Sequence, residues 1–136
     1  MNREEVIAYI QKIHFGYLAT IGEDEQPHVR PIGIHTVYDD SLYFFTFSHT
    51  RKVTEMENNP WVEVVWSDLS EQSQVRIQGK VFQETSELIQ QQFKADNPMV
   101  GKLLPLEAQH LFRLYRLQPD TVEVAEGLVP YEVVDW

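Results

Sequence analysis

Residues 74–82, QVRIQGKVF, alternate: Val75, Ile77 and Val81 fall on one side, and Gln74, Arg76, Gln78 and Lys80 on the other. A period of two is that of a strand with one buried face. Gly79 interrupts the run and marks a bend or bulge. Strand-like runs separated by short turn signals fill most of the chain. FGYLATI (15–21) passes through GEDEQP into HVRPIGIHTVY (28–38), where Pro31 indicates a sheet edge or a bulge. DDS leads into LYFFTF (42–47), apolar on both faces and therefore buried on both. WVEVVW (61–66), HLFRLYRL (110–117) and TVEVAE (121–126) supply further strands. Helices are few. Val6, Ile7, Ile10 and Ile13 recur at helical spacing in 3–13, and 85–96 follows a Thr85 or Ser86 cap. The pattern predicts an α+β, mainly β fold: an antiparallel β-barrel with peripheral helices, closed because open edges must be hidden. Without repeats, low-complexity tracts or linkers, residues 1–136 read as one domain.

A short helix within SHTRKVTEMENNP (48–60) has its charges reversed. Thr50 is the N-cap and Pro60 the stop, with Arg51 and Lys52 at the positive end of the helix dipole and Glu55 and Glu57 toward the negative end. Each misplaced charge costs about 0.3–1 kcal/mol on an exposed helix. Two compensations fit. A phosphate could sit at the helix N-terminus, gripped by free N–H groups, Thr50, Arg51, Lys52 and Ser48. Alternatively, the bases meet carboxylates elsewhere in the fold.

With a net charge of −10, the chain has no general affinity for nucleic acid, so its few cations carry more information. It has no cysteine, which excludes disulfides, thiolate metal sites and thiol catalysis. No run is long enough to cross a membrane, and MNREEVIAYIQKI has no apolar signal core, so a soluble cytoplasmic protein is expected. The histidines His14, His28, His35, His49 and His110 show no metal-binding spacing. His28 and His35, seven apart, would face opposite sides of a regular strand.

Other residues favour a ligand. In a simple meander the strand of Arg30 lies beside LYFFTF, which would bring a third cation to the helix start. An aromatic strand running into a phosphate-binding turn suits a molecule with both a flat ring and a phosphate. Gln74, on a polar strand face, can both donate to and accept from a heterocycle edge.

GYLATIGEDEQPHVRPIGIH, YFFTFSHTRKVTEMENNPWVEVVW and SQVRIQGKV resemble the FMN-binding split barrels of the pyridoxamine 5′-phosphate oxidase-like superfamily, over about residues 14–84. The resemblance implies a six-stranded antiparallel split β-barrel and a homodimer holding FMN at the subunit interface. It implies that Arg30, Pro31, Ile32, Gly33 and Ile34 line the isoalloxazine, and that Phe45 and Thr46 touch it from a strand end. Thr50, Arg51 and Lys52 match the phosphate clamp, Gln74 bonds the ring, and Trp66 lies near the cofactor. Departures are equally specific. His35 stands where the oxidase carries a substrate-binding lysine. Segment 85–102 lacks the Tyr and Arg of the oxidase's substrate-phosphate cluster, and the C-terminal Trp and Arg motif is missing, leaving Trp136 as the tail's candidate to cover the ring. Vitamin B6 oxidation is therefore not expected. The chain looks closer to the small nitroimidazole-reductase-like and general-stress-protein-like members.

These features together favour an FMN-dependent oxidoreductase with a small-molecule electron donor and acceptor, His35 being the candidate acid. The alternatives are a non-catalytic electron carrier or flavin store, and a split barrel using haem, a deazaflavin or no cofactor.

Overall fold

A computed structural model describes residues 1–136. Helix α1 (Arg3–Ile13) begins at Asn2, whose side chain accepts from the Glu5 amide while Glu5 returns a bond to the Asn2 amide, and it buries Val6 and Ile10. The strands are β1 (Gly16–Ile21), β2 (Pro27–Ile32), β3 (His35–Tyr38), β4 (Ser41–Phe47), β5 (Trp61–Asp68), β6 (Ser73–Gln83), β7 (Phe112–Glu126) and β8 (Glu132–Val133). Between them lie α2 (Arg51–Asn58), α3 (Glu87–Asp96), α4 (Met99–Leu103) and a 3₁₀ turn at Leu106–Leu111.

The strands form one antiparallel sheet in the order β2-β1-β5-β6-β7-β4-β3, with β8 added to β7. Its two end strands, β2 and β3, are consecutive in the chain and separated only by Gly33 and Ile34, so the sheet curls into a half-barrel; β2 and β3 do not pair, and the sheet is not closed as expected. The sheet has eight strands where six were expected. Run 28–38 breaks at Gly33–Ile34 into two, and the tail adds a short strand. The break also corrects the simple meander: β3 pairs with β4, whereas β2, which carries Arg30, pairs only with β1. Pro31 therefore lies in an end strand, where a missing N–H is tolerated.

Segments 110–117 and 121–126, expected as two strands, form the single strand β7. The register slips between Gln78 and Gly79, opposite Pro119, so the extra residue is absorbed in a bulge. A Cβ at Gly79 would collide with the carbonyl oxygen of Gln118, which requires glycine there. Strand β4 is buried on both faces. Leu42 and Phe44 join the barrel core of Leu18, Val64, Trp66, Ile77 and Leu117, under α1. Tyr43 and Phe45 face a second core with Phe93 of α3, Val100 of α4, Leu104 and Phe112. Each such buried side chain contributes about 1.5–3 kcal/mol. No helix is long and apolar enough to cross a membrane.

Candidate functional site

Strand β4 ends at Phe47, and a tight turn delivers the chain to α2: the Ser48 amide donates to Leu111 O at 2.8 Å and the Thr50 amide to Phe47 O at 3.2 Å. Thr50 is the N-cap residue, but its hydroxyl donates to Phe47 O at 2.8 Å and lies 3.3 Å from the buried Thr46 hydroxyl. It gives nothing to the helix amides. The amides of Arg51 and Lys52 make no backbone hydrogen bond, and the first turn carries no acid. Two open donors thus sit at the positive end of the dipole beside two cations.

The two cations meet different fates. Glu55, only 3% exposed, is the hub of a network beneath the helix. Arg30 Nη2 donates to Glu55 Oε1 at 2.7 Å, and Nη1 donates to Thr20 Oγ1 at 2.7 Å and to the carbonyls of His28 at 3.1 Å and Leu18 at 3.3 Å. Thr20 Oγ1 donates to Glu55 Oε1 at 3.0 Å. Arg51 Nε lies 3.8 Å from the same oxygen, and Arg51 Nη2 donates to His28 Nδ1 at 3.2 Å. A guanidinium has no acceptor, so Nδ1 is the bare nitrogen of His28 and Nε2 carries the hydrogen that reaches Asp24 Oδ1 at 3.1 Å. Glu55, the acid misplaced within the helix, thus neutralises cations from two elements.

Lys52 has no such partner. It is half-buried and makes neither an ion pair nor a hydrogen bond. Burial pulls its pKa below the ordinary lysine value, and the nearby Arg30 guanidinium lowers it further. Burial also lowers the Arg30 pKa, against the opposing effect of Glu55. Arg30, Thr46, Ser48, Thr50, Arg51 and Lys52 all contribute to the region where β1, β2 and the β4–α2 turn converge. The third cation reaches α2 through β2 and Glu55 rather than by lying beside β4.

The remaining candidates are spread out. Pro31 is exposed, Ile32 is buried, Gly33 faces the Phe15 ring, and Ile34 accepts from the Phe45 amide at 3.2 Å. Phe45 stacks on Phe112 with ring centroids 5.5 Å apart. Trp66 is wholly enclosed in the barrel core, its ring lying where a side chain on Gly16 would stand, so it presents no surface to a ligand of the single chain. His35 Nε2 donates to the His14 carbonyl, and its ring packs edge-on to Trp66 with centroids 5.5 Å apart. Burial lowers the His35 pKa, keeping the ring neutral. The break at Gly33–Ile34 overturns the expected opposition of the two histidines: His28 pairs across from buried Thr20 and His35 from buried Phe44, so both face the barrel interior.

Gln74 lies apart from Arg30, Arg51 and Lys52, on the outer sheet face. Its Oε1 accepts from Arg76 Nε at 3.1 Å and from the Tyr131 hydroxyl at 2.9 Å. Tyr131, a residue that the sequence reading did not single out, comes from the C-terminal tail. Trp136 is anchored elsewhere: its Nε1 donates to Asp40 O at 2.7 Å, and the Arg3 guanidinium lies 5.2 Å from its ring.

The family model described as pyridoxamine 5′-phosphate oxidase matches residues 3–124. The chain belongs to the pyridoxamine 5′-phosphate oxidase family. Within it, the chain is 30% identical over 112 residues to a pyridoxine/pyridoxamine 5′-phosphate oxidase of Leptospira interrogans, covering 79% of this chain and 51% of that protein. The chain thus spans about half the length of such curated relatives. Among solved structures, a NimC/NimA family protein of Clostridium acetobutylicum superposes with a TM-score of 0.82 at 19% identity, covering 96% of this chain and 89% of that one. A protein related to general stress protein 26, also from Clostridium acetobutylicum, gives 0.81 at 12% identity over 96% and 91%. A pyridoxamine 5′-phosphate oxidase-related, FMN-binding protein of Nostoc punctiforme gives 0.70 at 18% identity over 91% and 84%. These structural neighbours share the fold.

Proposed function

We propose that this member of the pyridoxamine 5′-phosphate oxidase family binds FMN, with the phosphate at the N-terminus of α2, and acts as an oxidoreductase. The observation that carries the reading is Lys52: a half-buried cation beside Arg30 with no anionic partner, next to two unbonded helix amides. An anion there would satisfy the amides, neutralise Lys52 and restore its pKa, with Arg51 swinging from Glu55 to grip two phosphate oxygens. Ser48 and Thr50 supply further hydroxyls. Arg30 and the backbone of Pro31–Ile34 would flank the ring, with positive charge and N–H groups favouring the reduced anion. When bound, FMN supplies the electron chemistry between a reduced nicotinamide and a small acceptor.

Gln74 and the clamp lie on different parts of one chain, so a single copy does not assemble the whole site. A homodimer would complete it, with Gln74 of one copy facing the clamp of the other. The outer sheet face supports this, because Tyr17 (49% exposed), Val29 (67%) and Pro31 form an apolar band along β1 and β2 that a partner would cover. Without the oxidase's substrate-phosphate residues in segment 85–102, a vitamin B6 phosphate is not the electron donor of this reading. Reconstitution with FMN followed by desalting tests the reading. A retained yellow spectrum, bleached anaerobically by NADH or NADPH, supports it. A colourless protein refutes it, and a yellow protein that no nicotinamide bleaches reduces it to a flavin carrier.

A further inference from the structure

The C-terminal tail reaches Gln74, the candidate residue on the outer sheet face. After β7 the chain reverses at Gly127, whose φ of 81° favours glycine, with its amide donating to Gln72 O at 2.9 Å. β8 then returns along β7, pairing Val133 with Glu123. Tyr131 lies between these two anchors, 43% exposed, so little of its side chain is used for packing. Its hydroxyl is fully used. It accepts from Arg76 Nε at 2.9 Å and donates to Gln74 Oε1 at 2.9 Å, while Arg76 Nε also approaches Gln74 Oε1 at 3.1 Å. The Arg76 guanidinium is held in turn by Glu63 and lies 5.2 Å from the Tyr131 ring.

This closed triangle settles which end of the Gln74 amide is which. Arg76 can only donate, so the atom facing it must be the carbonyl oxygen. With both lone pairs of Oε1 engaged, Gln74 has only its two N–H groups to offer. We propose that Tyr131 is a positioning residue that fixes Gln74 as a pure hydrogen-bond donor, so that the site selects an acceptor atom on its ligand's ring, a carbonyl oxygen or unprotonated ring nitrogen, over an N–H. The role rests on the FMN reading above; an isoalloxazine carries such acceptors along its pyrimidine edge. It also gives the tail a task at the cofactor that the sequence pointed toward Trp136.

A double-mutant cycle tests the assignment. FMN affinity is measured by fluorescence titration for the native chain, Tyr131→Phe, Gln74→Ala and the double variant, with melting temperatures as a check on folding. Tyr131→Phe keeps the ring over Arg76 and removes only the hydroxyl. It should weaken FMN about three- to tenfold, the scale of one hydrogen bond, and have no further effect once Gln74 is alanine. The same loss in both backgrounds, or no loss in the native one, overturns the assignment. A native chain that binds no FMN refutes the functional reading before any variant is compared, and the role of Tyr131 falls with it. A ligand-free measurement stands beside the cycle: in Tyr131→Phe the Gln74 side-chain amide resonances should shift toward free-glutamine positions without reaching them, since Arg76 still bonds Oε1, and unchanged resonances overturn the assignment.

Discussion

Replacing Glu55 with glutamine should move stability and anion affinity in opposite directions. The buried Glu55 carboxylate bonds Arg30 at 2.7 Å and Thr20 at 3.0 Å, and lies 3.8 Å from Arg51. Removing one member of a buried ion pair costs about 3–5 kcal/mol when the other charge is stranded. Arg30 is not fully stranded, because it keeps its bonds to Thr20, Leu18 and His28. The loss should therefore be smaller, about 2–4 kcal/mol, which for a chain of this length lowers Tm by roughly 8–15 °C. At the N-terminus of α2 the same change removes a negative charge one helical turn away. A unit charge at ~8 Å is worth about 0.5–2 kcal/mol between an effective dielectric of 80 and 20, so phosphate-bearing ligands should bind roughly two- to thirtyfold tighter. Thermal melts and FMN titration of Glu55→Gln read both effects. Unchanged stability would refute the buried pair, and weakened FMN binding would refute the view that Glu55 competes with the ligand for Arg51.

Other substitutions probe separate parts of the account. Arg51→Ala with Lys52→Ala should weaken FMN by several kcal/mol in direct titration and leave the fold intact, since charge-assisted phosphate bonds are the strong ones. Gly79→Ala should cost at least about 2 kcal/mol in urea denaturation, because its Cβ meets backbone at the β6–β7 bulge. His35, half-buried and with its pKa lowered from 6.5, binds a proton more readily unfolded than folded; stability should hold above about pH 6.5 and fall as pH drops below it, and His35→Asn should flatten that limb in pH-dependent melts.

Local chemistry was legible in the sequence wherever it depended on neighbours in the chain. The alternation in 74–82 and the glycine within it gave the strand and its bulge, and the two-sided apolar run 42–47 divides between two cores as its pattern required. Arg51 and Glu55 are four apart on one helix face, so their approach was readable in principle. Arg30 and Glu55, and Tyr131 and Gln74, are 25 and 57 residues apart, and only the curl of the sheet and the return of the tail bring them together. The break at Gly33–Ile34 carried only one mark, Gly33, which was outweighed because residues on both sides favour strands. It nonetheless decides which strand is Arg30's neighbour and turns both histidines inward.

The reversed charges of α2 are thus half explained by the protein itself: Glu55 answers Arg51 and Arg30, while Lys52 and two helix amides are left for an anion. Comparing FMN with riboflavin, which has the same ring and no phosphate, tests that claim most directly. Titration of each against the native chain should show FMN bound about a hundredfold tighter or more, with the difference lost in Arg51→Ala with Lys52→Ala. Equal affinity for the two flavins would contradict it.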